Sequence, residues 1–218
     1  IWNRSYAESR MAQVPAMLLE LLSHQNLADM RYGLDPMFRF TVSRAIYKGM
    51  LRYLSSTLGF EYVVQPLPVQ SMAVDFSESG QALLTWKPTT DPLEPTAEPL
   101  GYVVYTRTGD EKESFDQGVF VLENKAEITL REGIHYSFRV TAVNRGGESF
   151  PSETVSLYKA PAGEEKGKIL IINGFTRVSA PDSFASDDSL FAGFQDYSDH
   201  GVPYLADISY TGSQYEFR

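Results

Sequence analysis

The residues that could do acid–base or metal chemistry are spread over the whole chain. The three histidines, His24, His135 and His200, lie in three different parts of the sequence, and no cysteine is present. A metal site needs ligands that converge, so these histidines do not predict one. The lack of cysteine excludes a thiolate zinc site and a disulfide framework. Asp199 and His200 could pair an orienting acid with a base, but no nucleophile motif accompanies them.

The last part of the chain offers a second group of candidates. It contains six scattered aspartates, Asp182, Asp187, Asp188, Asp196, Asp199 and Asp207. Their spacing does not fit a calcium-binding loop, which favours solvated loop residues. Before them, the aliphatic run 169–172 precedes Asn173 and Gly174. We expect a buried strand here that opens an α/β domain, with Asn173 and Gly174 forming either a ligand contact or an ordinary turn.

Charge distribution and two Pro- and Gly-containing stretches divide the 218 residues into three segments. The net charge of −9 disfavours nucleic-acid binding, and no apolar run approaches the ~20 residues that span a bilayer. The charge changes from +3 over residues 1–60 to −6 over 65–160 and −5 over 161–218. Two Pro- and Gly-containing breaks give predicted segments of 1–64, 65–160 and 161–218. The sequence reads as a piece of a longer protein.

The first segment contains a long helix. Asp35 and Pro36 are an N-cap residue and a first-turn proline, and Gly59 is a suitable C-cap. Apolar residues recur on one face at helical spacing, and this pattern predicts that Phe38, Val42, Ile46 and Met50 are buried. The opposite stripe of Arg44, Lys48 and Arg52 is predicted to face solvent.

In the middle segment, apolar residues recur at every second position instead of at helical spacing. Ala82, Leu84 and Trp86 alternate with polar neighbours, as do Tyr136, Phe138, Val140 and Ala142. Turn signals separate about seven such runs, which indicates an antiparallel β-sandwich. Trp86, the 102–105 strand, the Leu130/Tyr136 pair and the stretch 138–149 resemble a fibronectin type III domain over residues 66–160. That resemblance implies a spacer or docking module, as such domains commonly are between catalytic modules of bacterial extracellular enzymes.

Residues 14–22 carry a second resemblance. Glu20 ends an apolar run, Asn26 follows after six residues and Asp29 after three more. With Ala45-Ile46 and the 49–53 stretch in the helix, this pattern resembles the C-terminal end of a zinc-dependent N-acetylmuramoyl-L-alanine amidase domain. The resemblance implies that Glu20 ends a core strand and is the catalytic carboxylate. It also implies zinc in the full-length protein, although this chain lacks the family's upstream His and Glu ligands, so no metal ligand and no cofactor are assigned here.

The expected fold class is therefore mixed. A fibronectin type III sandwich is flanked by partial α/β segments, namely a strand and long helix before it and the start of another α/β domain after it. The implied parent is a secreted, periplasmic or cell-surface bacterial hydrolase that acts on peptidoglycan or another cell-surface glycan. Alternatives remain open: Glu20 could be an ordinary strand-end glutamate that faces solvent or pairs with an arginine such as Arg10. Leu22, where the family has glycine, favours a non-catalytic adhesion or spacer segment. The architecture is also similar to that of multidomain proteins described as xanthan lyases.

Overall fold

A computed structural model describes residues 6–109, 113–172, 181–188 and 191–194. Within these ranges the chain forms two compact units. One contains residues 6–41 with the described residues from 181 onward, and the other contains the described residues between 42 and 172. The predicted segment boundaries are not tested by this division and stay predictions. None of the helices in the described ranges has the length and apolarity needed to cross a membrane.

The first unit is built from helices and a short hairpin. Its elements are α1 (Ala7–Arg10), α2 (Leu27–Gly33), the start of α3 (Pro36–Leu58), β9 (Ser183–Ala185) and β10 (Ala192–Phe194). The N-terminus of α2 is capped by Asn26, whose Oδ1 accepts from the amides of Ala28 at 2.9 Å and Asp29 at 3.4 Å. The Asp29 carboxylate accepts in turn from the Ser23 amide at 3.0 Å. These bonds fix the turn that precedes α2.

The two strands predicted outside the sandwich are not formed. Residues 14–22 are exposed and have no strand partner, so the prediction that Glu20 ends a core strand is wrong in this structure. Residues 169–172 are likewise unpaired, with exposed fractions from 78% for Leu170 to 92% for Ile169. The reason is the same for both runs: no strand of the described residues lies beside them, so their backbone N–H and C=O groups have no ladder to join there. Asn173, Gly174, Asp199 and His200 lie outside the described residues.

The second unit is the predicted antiparallel β-sandwich. One sheet has the order β1-β2-β5, and the other has β4-β3-β6, with β7 and β8 both paired to β6. The strands are β1 (Gln70–Phe76), β2 (Ala82–Lys87), β3 (Gly101–Thr108), β4 (Val119–Val121), β5 (Lys125–Ile128), β6 (His135–Asn144), β7 (Gly147–Glu148) and β8 (Val155–Tyr158). Because β7 and β8 follow the same edge of β6, they act as one interrupted strand, and the sandwich has the expected seven.

The core lies between the two sheets and uses the alternating residues predicted from the sequence. Its buried members include Leu84, Trp86, Tyr102, Phe138 and Val140. The Trp86 ring meets the Tyr102 ring edge-on, with centroids 5.3 Å apart. Beside this core, the Tyr136 hydroxyl accepts from the Arg131 amide at 3.1 Å. That bond confirms the tyrosine corner expected from the Leu130/Tyr136 spacing.

Two buried serines complete the sheet where the edge strand is interrupted. The hydroxyls of Ser149 and Ser152 each accept at 2.9 Å from an amide of β6, that of Ala142 and that of Val140 respectively. The amides of the two serines donate to the carbonyls of the same β6 residues at 2.8 Å. The backbone polar groups of β6 therefore stay satisfied across the Pro151 break.

The orientation of α3 differs from the sequence prediction. Ile46 and Met50 are 38% and 60% exposed, whereas the side chains of Arg44 and Lys48 are only 11% and 19% exposed. The prediction was thus wrong for these four residues, although Arg52 is exposed as expected. The physical reason is that two carboxylates of the β2–β3 loop lie against the basic stripe and pair with it.

Candidate functional site

The best-organised polar site of the described chain is the junction between α3 and the sandwich. The β2–β3 loop shapes one side of it. Asp91 Oδ1 accepts from the Leu93 amide at 3.0 Å, and a 3₁₀ turn, Pro95–Ala97, follows Glu94. Prolines 92 and 95 restrict this backbone further. The loop thereby presents the Asp91 and Glu94 carboxylates from a fixed backbone.

Four charged side chains form what we call the helix latch: Arg44 and Lys48 of α3, and Asp91 and Glu94 of the loop. Arg44 Nε donates to Asp91 Oδ2 at 2.9 Å. Lys48 Nζ lies 3.6 Å from Asp91 Oδ2 and 3.7 Å from Glu94 Oε2. The carboxylate side chains are only 8% and 6% exposed, so these pairs are far less screened by water than surface pairs.

Hydrogen bonds to uncharged groups complete the partners of the latch. The Tyr62 hydroxyl donates to Glu94 Oε2 and the Thr96 hydroxyl to Glu94 Oε1, both at 2.9 Å. Arg44 Nη2 donates to the Gln65 carbonyl at 3.1 Å. Each buried carboxylate therefore has more than one donor, which is the condition under which a buried ion pair is stable.

The pKa values of the two carboxyls follow from this balance. Burial alone would raise the pKa of Asp91, but the Arg44 hydrogen bond, the Leu93 amide and the charge of Lys48 outweigh it and lower the pKa. Burial also acts to raise the pKa of Glu94, and donation from Tyr62 and Thr96, with the charge of Lys48, lowers it overall. Both groups are held as carboxylates at neutral pH.

A second set of contacts fastens the segment that links α3 to β1. The Asn144 amide Nδ2, at the end of β6, donates to the carbonyl of Val64 at 2.8 Å and to that of Thr96 at 3.0 Å. Val64 is fully buried. A Cβ on Gly146 would lie 2.4 Å from the Val63 carbonyl oxygen, so the linker passes against a turn that only glycine allows.

A shallow cavity of about 300 Å³ lies beside this linker. It is lined by Leu51, Phe60, Glu61, Val63, Arg145 and Gly146. An ion pair at its edge, Glu61 to Arg145 at 2.8 Å, has side chains that are 61% and 70% exposed. The cavity contains no nucleophile and no clustered acid, so it adds no reaction chemistry to the junction.

The predicted catalytic residue lies outside this junction. Glu20 is exposed in the segment before α2, and Asn26 and Asp29 are engaged in the turn described above. Two of the three amidase-like residues thus have local structural roles. Glu20 remains a predicted catalytic residue. His24 is exposed, and His135 is the exposed first residue of β6.

The described residues do not provide a zinc site. They hold no group of three His, Cys, Asp or Glu side chains placed to bind a metal ion. The zinc that the amidase resemblance implies for the full-length protein stays a prediction, and no step is derived through it.

Sequence reasoning missed the latch carboxylates. Asp91 and Glu94 each precede a proline in the β2–β3 loop, and neither belongs to a motif that the sequence analysis singles out. A signal was nonetheless present, because the loop is rich in carboxylates and α3 carries a basic stripe. What the sequence could not indicate is that segments 43 or more positions apart come together.

The sheet order and the tyrosine corner define the second unit as an immunoglobulin-like β-sandwich. The family model for the fibronectin type III domain matches residues 67–158. This part of the chain is a fibronectin type III domain, a module of the spacer or docking kind. Comparison with curated protein sequences gave no match.

Several solved structures are similar to a part of the chain. One, titled "Myokine structure", is 20% identical, with 44% of this chain and 100% of that chain covered and a TM-score of 0.36. The third fibronectin III domain of the human KIAA0343 protein is 17% identical, with 48% and 90% covered and a TM-score of 0.37. The FN1–FN3 domains of chicken CNTN1 are 21% identical, with 44% and 33% covered and a TM-score of 0.37.

Proposed function

We propose that the fibronectin type III domain is a rigid spacer to which the 42–58 part of α3 is firmly fixed. The observation that carries this proposal is the helix latch. Its carboxylates are more than nine-tenths buried and are paired with two basic residues of α3. A flexible tether would leave these charges in water, so burying them is useful only where the helix and the sandwich stay together.

The linker between α3 and the sandwich supports the same function. The sequence predicts extended, linker-like backbone at residues 65–68. In the structure, Val64 and Pro66 are fully buried, and the linker backbone bonds to Asn144, Tyr47 and Thr96. A packed linker cannot act as a free hinge, since opening it would leave buried polar groups without partners.

Amide hydrogen exchange tests the spacer function. The double variant Asp91→Asn/Glu94→Gln removes both latch charges at nearly constant volume. We expect amide protection in residues 44–58 to fall at least about tenfold, because local opening of α3 no longer separates ion pairs. Protection in β6 should be unchanged. Glu123→Gln is the matched control, because its pair with Lys125 is mostly exposed. Equal protection of α3 in both variants would contradict the rigid spacer.

As a second function we propose that the chain is part of a secreted or surface cell-wall hydrolase that cleaves an amide of peptidoglycan. The support is the spacing of Glu20, Asn26 and Asp29, together with the turn that Asn26 and Asp29 build after the Glu20 segment. In this proposal Glu20 accepts the proton of the attacking water, as a general base. The zinc of the longer protein would be held by residues outside this chain.

Glu20→Gln in a longer protein that includes the complete hydrolase domain tests this role. The change keeps size and polarity but removes the proton acceptor, so turnover should fall about 10²–10⁴-fold. Zinc content should stay the same, since Glu20 is not proposed as a ligand. Muropeptide release and metal analysis are the measurements, with Glu8→Gln, another exposed glutamate, as the control. Equal activity of the wild type and Glu20→Gln would remove Glu20 from the mechanism.

A further inference from the structure

The chain leaves the sandwich through a segment that the sandwich holds only as far as Ala162. The last strand, β8, pairs with β6 up to Tyr158. The Lys159 carbonyl then accepts from the Gly133 amide at 2.8 Å, and the Ala162 amide donates to Glu132 Oε2 at 3.1 Å. On this side, Ala162 is the last of the described residues that bonds to the sandwich.

Residues 163–168, which we call the connector, make only local bonds within the described part of the chain. The Gly163 amide donates to Glu165 Oε2 at 2.8 Å, and the Glu164 amide donates to the Pro161 carbonyl at 3.0 Å. The whole connector is exposed. Its two glutamates thus take part in a local turn, and no bond of that turn reaches the sandwich.

The two connections of the sandwich therefore differ. On the α3 side, a Cβ on Gly146 would lie 2.4 Å from the Val63 carbonyl oxygen, so the chain there is closely packed. In the connector, Gly163 and Gly167 have φ values of +86° and +124°, and the space that a Cβ would occupy beside each is open. A segment with two glycines and no packing opens at little cost in free energy.

The lysines of the connector, Lys166 and Lys168, belong to this unpacked backbone. An endoprotease needs a stretch of chain that can leave its surroundings, and cleavage is fastest where that opening costs least. Other described lysines lie in regular structure: Lys48 is in α3, Lys87 ends β2 and Lys125 begins β5. The peptide bonds after the connector lysines are therefore more accessible to a protease than the bonds after these three.

We propose that the connector is a proteolytic site, at which an endoprotease specific for lysine interrupts the chain between the sandwich and the segment that follows. Water is the second reactant. The peptide bond between Lys166 and Gly167 breaks, the Lys166 carbonyl carbon takes the hydroxyl group of the water, and the Gly167 nitrogen takes its proton. The products are a carboxyl group and an amine, and no strand of the sandwich is cut. The proposal is independent of the spacer function, because the helix latch lies at the other connection.

Digestion of the whole chain by a lysyl endopeptidase, followed by mass spectrometry, tests the proposal. We expect cleavage after Lys166 or Lys168 to be at least about tenfold faster than after Lys48, Lys87 or Lys125, because those three bonds become accessible only after local unfolding. The double variant Lys166→Arg/Lys168→Arg keeps the charge but removes the bonds that this protease recognises, so the early product should disappear. Lys125→Arg is the matched control, since the Lys125 side chain is 63% exposed in the sandwich. It should leave the early product unchanged.

A second variant separates an unpacked connector from a packed one without a protease. Gly163→Ala/Gly167→Ala places two methyl groups on backbone of positive φ, which alanine disfavours. A connector that nothing holds can leave those φ values, so we expect the urea midpoint to stay at that of the wild type. Gly146→Ala is the matched comparison and should lower the midpoint, because its backbone is packed against Val63.

Three results would overturn the proposal. One is cleavage after Lys166 and Lys168 that is no faster than cleavage after Lys125. Another is an early product that survives in Lys166→Arg/Lys168→Arg. The third is a fall in the urea midpoint of Gly163→Ala/Gly167→Ala as large as that of Gly146→Ala. None of these results bears on amide exchange in α3, so failure of this proposal is distinguishable from failure of the spacer function.

Discussion

The pair between Arg44 and Asp91 allows the energy of the latch to be measured by a double-mutant cycle. The variants are Arg44→Gln, Asp91→Asn and the two combined. Arg44 Nε and Asp91 Oδ2 are 2.9 Å apart, and the side chains are 11% and 8% exposed. Hydrogen bonds to charged groups contribute about 1.5–3 kcal/mol when buried, and we expect a coupling energy in that range. The measurement is urea unfolding followed by circular dichroism.

The chain offers a control pair of nearly equal length. Glu61 and Arg145 are 2.8 Å apart, but their side chains are 61% and 70% exposed. Exposed pairs of this kind contribute about 0.2–1 kcal/mol, so the control cycle with Glu61→Gln and Arg145→Gln should give less coupling. Burial, and not distance, distinguishes the two pairs. A coupling for Arg44 and Asp91 no larger than that of the control would refute the reasoning.

Three further predictions follow from the packing and the charges. Trp86→Ala should lower the free energy of unfolding by about 3–5 kcal/mol, since the ring is 2% exposed, and an unchanged urea midpoint would place Trp86 outside the core. Gly146→Ala should destabilise the chain by about 1–3 kcal/mol, because the new methyl group meets the Val63 carbonyl. Gly49→Ala has open space and should be neutral or stabilising, and thermal melts compare the two. Because the folded-state pKa values of Asp91 and Glu94 are lowered, their stabilisation is complete above the ordinary carboxyl range of about 4 and is lost as the pH falls through the lowered values. Urea midpoints between pH 3 and 7 should fall on the acid side less steeply in Asp91→Asn than in the wild type, and parallel curves would contradict this.

Local patterns predicted the sandwich well. The alternation in β2 and β6 identifies the buried side, and Trp86, Phe138 and Val140 lie where it puts them. The capping residues predicted both ends of α3. The helix begins at Pro36, and Gly59, just after its last residue, has the positive φ of a C-cap. These features depend on residues that are close in sequence or repeat with one period. They can therefore be predicted from the sequence before the fold is known.

The face by which α3 docks could not be predicted in this way. Helical periodicity assumes that charged residues face water, and α3 violates this because Asp91 and Glu94 supply buried partners for Arg44 and Lys48. The prediction of a strand over residues 14–22 was wrong for a related reason. Apolar residues form a strand only where a neighbouring strand can pair with them, and no strand of the described residues pairs with residues 14–22.

The rotational motion of α3 relative to the sandwich tests the central claim most directly. Backbone ¹⁵N relaxation of the full chain gives a rotational correlation time and an order parameter for each amide. If the latch makes the two parts one body, residues 44–58 and the strands β2 and β6 should share one correlation time, with rigid order parameters throughout. A shorter correlation time and lower order parameters in residues 44–58 would contradict the rigid spacer, because the helix would then move independently of the domain to which it is proposed to be fixed.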